Sequence, residues 1–230
     1  MAVQRSLEWF RERLGSITGS KLGVLMKSGK GKEKPFSETG LSYIRQLAAE
    51  RTMNHKLVND DMFFQMYLDQ TDITTKRMAW GTDNEENARL LYTLKTGIKV
   101  SDTGSVRYKR MKWFSASPDG IIKDVSGNTA GCVEIKCPSQ ETFVKYVRTV
   151  WNARTLLNSN PDYYWQCMAE MMCTNTKWCD FVVYNPFQEN PIYIVRINFN
   201  DNAAKSILDK VTLANKEIRK TVTALKKKRK

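Results

Sequence analysis

The sequence predicts a single α/β domain in which helices flank a central mixed β-sheet. Three observations carry that expectation. Helical periodicity dominates up to about residue 96, extended segments follow, and helical segments return before the end. The 230 residues are enough for one well-filled core. Apolar residues make up 41% and charged residues 27%, the balance of a folded domain.

Leu7, Phe10 and Leu14 share one helical face, and Gly15-Ser16 breaks that helix. A second helix begins at Ser20-Lys21-Leu22, after Thr18-Gly19. Its first turn gathers small hydroxyls and free backbone N–H groups, which suits either an ordinary N-cap or an anion such as phosphate. Residues 28–35 form a basic, glycine-containing loop, and Glu38 to Arg51 reads as a helix with Leu41, Ile44, Leu47 and Ala48 in register. Asn54 to Asp72 mixes Met62, Phe63, Phe64, Met66 and Tyr67 with acids; it is read as a helix or a loop against a partner. Thr74 to Thr96 is a long helix closed by Gly97.

Extended segments follow at Val106 to Tyr108, Trp113 to Ser115 and Ile121-Ile122. The last is expected as the return of a hairpin after the Pro118-Asp119-Gly120 turn. Gly127-Asn128 marks another turn before a strand over Cys132 to Lys136. Helices are expected at Glu141 to Val150 and Asp162 to Cys173, strands at Trp178 to Tyr184 and Ile192 to Ile197, and a last helix at Asp201 to Leu225. The domain is therefore placed at residues 1–225, with residues 226–230, KKKRK, as a basic tail.

The formal net charge is +13. Residues 216–230 carry +7 of it and the rest of the chain about +6. Such a balance favours polyanionic partners, because phosphate contacts dominate nucleic-acid affinity. No uninterrupted apolar run is long enough to span a membrane, and the start lacks the apolar run of a signal peptide, so a cytoplasmic protein is expected. The five cysteines include no C-x-x-C pair and are read as buried thiols.

The chemistry concentrates in Ser117-Pro118-Asp119-Gly120, followed fourteen residues on by Glu134-Ile135-Lys136. Glu134 and Lys136 lie two apart on a strand and point to one face, while Ile135 points to the other. With Asp119 aimed across, that face gathers two carboxylates and an ammonium. Such oxygen ligands suit Mg²⁺ or Mn²⁺, and the Ile135 carbonyl can add a fourth group. A structural ion pair is the plainer reading of these residues alone. Glu85 lies at the edge of the apolar stripe of the long helix, near Ala88 and Leu91, where it either faces the sheet or pairs with Arg89 one turn on. Gln166 sits beside Tyr163, Tyr164 and Trp165 on a later helix.

In order, the chain reads R-L-G-S-I-T-G-S (Arg13 to Ser20), W-G-T-D-N-E (Trp80 to Glu85), S-P-D-G (Ser117 to Gly120), V-E-I-K-C-P (Val133 to Pro138) and Y-Y-W-Q (Tyr163 to Gln166). This succession resembles the lambda-exonuclease-like, or YqaJ viral recombinase, family of PD-(D/E)xK nucleases, over about Trp9 to Tyr184. The resemblance implies a restriction-endonuclease-like core. It implies two metal ions, with Asp119, Glu134 and the Ile135 carbonyl as ligands and Glu85 helping the second ion or its water. Lys136 and Gln166 would position the attacking water, and Arg13 and Ser20 would contact a terminal 5′-phosphate. Met78 falls where the family places an apolar wedge that splits the end base pair; core packing explains it equally.

The same resemblance implies a 5′→3′ exonuclease that digests double-stranded DNA from its ends and leaves 3′ overhangs for recombination by strand annealing. It further implies a ring-shaped homotrimer, a single-strand annealing protein as partner, and a phage or prophage origin in a bacterial host. One departure is visible. A further arginine of the family prototype falls near Thr142, and Ser139 to Thr142 contains no base; Lys145 and Arg148 are the nearest. The alternatives are an endonuclease on the same fold and a DNA-binding module without catalysis.

Overall fold

The structure, a computed structural model, describes residues 2–31, 34–71 and 76–227; within these, the side chains of residues 77 and 78 also lie outside the description. The fold is mixed α/β, with helices flanking mixed sheets.

The chain opens with α1 (Leu7–Arg13), β1 (Ile17–Thr18), α2 (Gly19–Met26) and α3 (Glu38–Glu50). Ser6 and Ser37 cap α1 and α3 by accepting from Trp9 and Gly40 N–H groups, as short hydroxyls before a helix do. The ambiguous stretch from Asn54 resolves into α4 (His55–Asn59) and α5 (Asp61–Thr71). Met62 and Met66 are exposed on α5, while Phe64 is buried. The long helix α6 (Lys76–Thr96) ends where Gly97 adopts φ +70°, the left-handed conformation that glycine takes without strain.

Next come β2 (Val100–Ser101), β3 (Val106–Arg107), β4 (Phe114–Ala116), β5 (Gly120–Lys123) and β6 (Thr129–Lys136). The chain closes with α7 (Gln140–Thr149), α8 (Ala153–Ser159), α9 (Pro161–Thr174), β7 (Trp178–Tyr184), β8 (Ile192–Asn198) and α10 (Asp201–Lys227). Helix α10 runs through Lys226 and Lys227; the rest of the expected tail, residues 228–230, lies outside the described residues.

The strands form a three-stranded sheet, β1-β4-β3, and a five-stranded sheet, β2-β5-β6-β7-β8. The expected hairpin around Pro118 is corrected here: β4 and β5 belong to different sheets, so Ser117 to Asp119 is a crossover. Turn residues break a strand, but they do not dictate which strand the chain joins next. The Asp119 N–H donates to the Val133 carbonyl at 2.9 Å, which hands the chain to β6. The β5–β6 hairpin lies further on, around Gly127 (φ +81°), and Asp124 accepts from the Ser126 and Asn128 N–H groups to close it.

The two faces of the larger sheet bury separate clusters. On one, Cys132, Cys179, Phe181 and Val183 pack against α9, with α2, α3 and α10 behind. On the other, Val133, Ile135, Val182 and Tyr184 pack against Ala88 and Tyr92 of α6. This alternation along β6 is the period-2 pattern of a strand buried on both sides. It sends Ile135 under α6 and Glu134 and Lys136 toward α9.

Candidate active site

Asp119 links the crossover to the last residues of β6. Its Oδ2 accepts from the Ile135 N–H at 2.6 Å. Glu134 is 1% exposed, and neither of its oxygens accepts a well-formed hydrogen bond, although the Lys136 ammonium touches Oε1 as an ion pair. Lys136 in turn lies over the Tyr163 ring, 4.8 Å from its centre. A buried carboxylate short of donors is costly unless a cation completes its surroundings.

Glu85 completes the acidic group from α6. It is 13% exposed and pairs with Arg5 at 2.7 Å and Arg89 at 3.3 Å, so the helical i,i+4 pair and the inward orientation hold together. Arg89 also contacts Asp102. Burial, then the charges of Glu134 and Glu85, pushes the Asp119 carboxyl well above the usual carboxylate range, against the pull of Lys136 and the Ile135 amide. Burial works to lower the Lys136 ammonium, but Glu134 and Asp119 outweigh it and hold it above the usual lysine range. Glu85 and Asp119 face a cavity of about 490 Å³, whose other walls include Gln4, Arg5, Arg89, Asp102 and Thr103.

These residues fit a divalent cation. The charges of Glu134 and Glu85 both act on Asp119, the Lys136 ammonium is the one cation paired with Glu134 among the described residues, and burial followed by like charge disfavours ionised Asp119. The N–H and C=O of one strand residue point to the same edge of the strand. The bond from Ile135 N–H to Asp119 therefore also turns the Ile135 carbonyl toward Asp119.

Gln166 is buried on α9 and donates to Glu170 Oε1 at 3.1 Å. Glu170, 1% exposed, faces Glu134, and burial followed by the Glu134 charge raises its carboxyl well above the usual range. The sequence reading missed Glu170. The signal was present: it lies one turn after Gln166, within an otherwise apolar run. Behind it, the sulfurs of Cys132 and Cys179 and a Glu170 oxygen lie within 4.8 Å of one another. Arg5 is another site neighbour not singled out from sequence, whereas Tyr163 was named there only as the start of Y-Y-W-Q, beside Gln166.

Arg13 stacks on the Trp9 ring at 3.9 Å and donates to Ser117 Oγ at 2.7 Å, and the Trp9 indole N–H donates to the same oxygen at 3.2 Å. Burial lowers the Arg13 guanidinium to about 10. Ser20 is exposed in the first turn of α2. That turn is pressed against β4, since a Cβ on Gly19 would stand 3.0 Å from the Ala116 Cβ. Arg13 and Ser20 thus both border the end of β4, although no hydrogen bond between them is seen among the described residues. Lys145 and Arg148 are exposed on α7. The Met78 side chain lies outside the described residues.

Among the described residues, no helix is long and apolar enough to cross a membrane. The family model for the YqaJ-like viral recombinase domain matches residues 8–177. The fold is similar to that of an alkaline exonuclease from Laribacter hongkongensis, with TM-score 0.77, 27% identity and 97% of each chain covered. The structure of that exonuclease in complex with dAMP gives 0.76 and 28% over the same shares. A phage-related exonuclease from Haemophilus somnus shares the fold at TM-score 0.63 and 16% identity, over 91% of this chain and 96% of that one. An uncharacterized protein of Acanthamoeba polyphaga mimivirus is 23% identical over 186 residues, 78% of this chain; the chain spans 28% of that relative's length.

Proposed function

The chain belongs to the YqaJ-like viral recombinase family, and on that premise we propose that it is a metal-dependent deoxyribonuclease that digests double-stranded DNA from its 5′ ends. The observation that carries this reading is the meeting of Asp119, Glu134 and Lys136 at the end of β6, tied by the 2.6 Å bond from the Ile135 amide to Asp119.

Asp119, Glu134 and the Ile135 carbonyl would hold Mg²⁺ or Mn²⁺, with Glu85 serving a second ion; such ions lower the pKa of a bound water and stabilise charge on the leaving oxygen. The chain's own groups do the positioning. Lys136 holds Glu134 in place and sets a fixed positive charge beside the phosphodiester. The Tyr163 ring limits where that ammonium can move. Gln166 and Glu170 brace Glu134 from α9, so the carboxylate keeps its direction when substrate enters. A rigid support of this kind converts binding into correct alignment.

Arg13 supplies the contact for a terminal 5′-phosphate. Its guanidinium is held flat by Trp9 and Ser117, and a planar cation of this kind suits phosphate oxygens. Ser20 and the N–H groups opening α2 add donors beside it. The overhang left by digestion from 5′ ends is a 3′ single strand, which serves recombination by strand annealing. A homotrimeric ring and a single-strand annealing protein complete this reading, in a phage or prophage protein acting in the bacterial cytoplasm. The net charge of +13 supports sustained contact with a polyanion.

Linear duplex DNA labelled separately at each end tests the reading. Metal-dependent loss of nucleotides from 5′ ends, faster with a 5′-phosphate, is expected. Loss from 3′ ends would contradict the direction, and cutting of closed circles would point to an endonuclease instead.

A further inference from the structure

The nuclease reading leaves two arginines on the wall of the active-site cavity without a role, Arg89 and the more exposed Arg5. Arg5 precedes α1, and its guanidinium reaches across to Glu85 at 2.7 Å. Its side chain is 48% exposed while that of Glu85 is 13% exposed, so the arginine stands on the open side of the pair. Its placement is specified by its neighbours. The Gln4 amide donates to the Pro118 carbonyl at 2.8 Å and to the Thr103 carbonyl at 3.1 Å, which pins the preceding residue beside Asp119. Arg5 itself adopts φ +67°, a conformation that a residue with a Cβ keeps only when its surroundings enforce it.

The charges around Glu85 are unequal in their alternatives. Arg89 has Asp102 as a second acidic partner. Among the described residues, Glu85 is the one acid with which Arg5 pairs. A cation that takes Glu85 as a ligand therefore releases Arg5 and leaves Arg89 paired. The released guanidinium stays on the wall of the same cavity as Asp119, because Gln4 still anchors its backbone. It then faces the cavity that Asp119 and Glu85 line.

We propose that Arg5 is a phosphate-binding residue of the active-site cavity, held on Glu85 until a divalent cation displaces it. The inference rests on the nuclease reading and adds to it a ligand for the phosphate group at the reacting end of the DNA. The exchange is favourable in sequence. An exposed ion pair is weak and easily surrendered, whereas a freed guanidinium meets a phosphate in a partly enclosed space, where two parallel hydrogen bonds can form.

Two measurements on the full chain test it, and neither depends on turnover. The first is titration of metal-free protein with Mn²⁺ in the absence of DNA, for wild type, Arg5→Ala and Glu85→Gln. Removing the competitor is expected to tighten Mn²⁺ binding in Arg5→Ala by up to about fivefold, the range that an exposed ion pair supports. Glu85→Gln should weaken it. The second is the salt dependence of duplex binding in Ca²⁺, on a background where Glu134→Gln blocks cleavage. Arg5→Ala should lower the slope of log K against log salt by about one phosphate contact, and Arg5→Lys should restore it in part. Unchanged Mn²⁺ affinity in Arg5→Ala would overturn the competition, and an unchanged salt slope would overturn the phosphate contact. Failure of wild type to bind Mn²⁺ at all would instead overturn the nuclease reading beneath both.

Discussion

Asp119 Oδ2 and the backbone N–H of Ile135 are joined at 2.6 Å, which fixes the crossover loop against the strand that carries Glu134 and Lys136. This one bond orients both a carboxylate and, through the peptide geometry, the Ile135 carbonyl. Asp119→Ala removes the acceptor and the ligand together. Cleavage should fall by at least on the order of a hundredfold while duplex binding persists, because a charge that repels phosphate is also removed. Gel-shift and single-turnover assays in parallel separate the two effects. Turnover within a few-fold of wild type would remove Asp119 from the site.

Lys136→Ala should lower kcat by roughly 10²–10³-fold with little change in DNA affinity, the behaviour of a group whose charge matters most as negative charge develops. Glu134 would then lose its only ion-pair partner among the described residues, so the variant should also unfold at a lower temperature in EDTA. Mg²⁺ is expected to recover part of that loss. A thermal melt with and without metal reads it.

Arg13→Lys should act like Arg13→Ala in its preference for phosphorylated ends. Lysine keeps the charge but cannot lie flat on Trp9 at 3.9 Å while donating to Ser117. The ratio of digestion rates on 5′-phosphorylated and 5′-hydroxyl duplexes is the readout, and both variants should bring it close to one. A ratio that survives in Arg13→Lys would reduce the site to a point charge.

Glu170 predicts a pH dependence of stability in the metal-free protein. Its carboxyl is raised in the folded state by burial first and by Glu134 second. The folded protein thus holds a proton that the unfolded chain releases above about 4.3. The associated stability is full below that pH and is lost as pH rises toward the raised folded value. Glu170→Gln, which needs no proton, should flatten this decline in urea melts taken in EDTA across acid to neutral pH. An unchanged slope would mean that another group carries it.

Gly23→Ala should destabilise the protein although alanine favours helices. The added Cβ would stand 2.3 Å from Asp162 Oδ1 and 2.8 Å from the Asp162 Cα, where α2 meets α9. A cost of about 1–3 kcal/mol is expected from such overpacking, read by urea denaturation.

Much of the site was legible because its residues follow short-range rules. Glu134 and Lys136 share a face by strand alternation, and Ile135 falls under α6 for the same reason. Glu85 was legible from its place beside Ala88 on a helical stripe. What escaped depends on long-range pairing. Pro118-Asp119-Gly120 carries the composition of a hairpin turn, yet β4 and β5 join different sheets. The strands β1 and β2 are two residues each, too short for alternation to register. Arg5 lies 80 positions from Glu85, and no periodicity connects them. Helix α8 did leave a trace, since Asn152 and Thr155 form its capping box.

In the proposed function, Asp119, Glu134 and Lys136 serve metal-dependent hydrolysis of DNA at its ends. Release of soluble nucleotides from linear and closed circular duplex, with Mg²⁺ or EDTA, by wild type and Glu134→Gln tests it most directly. Release is expected from linear DNA alone, in Mg²⁺ alone, by wild type alone, with Glu134→Gln still bound to the duplex. Comparable release by folded Glu134→Gln, or none from linear DNA by wild type, would contradict it.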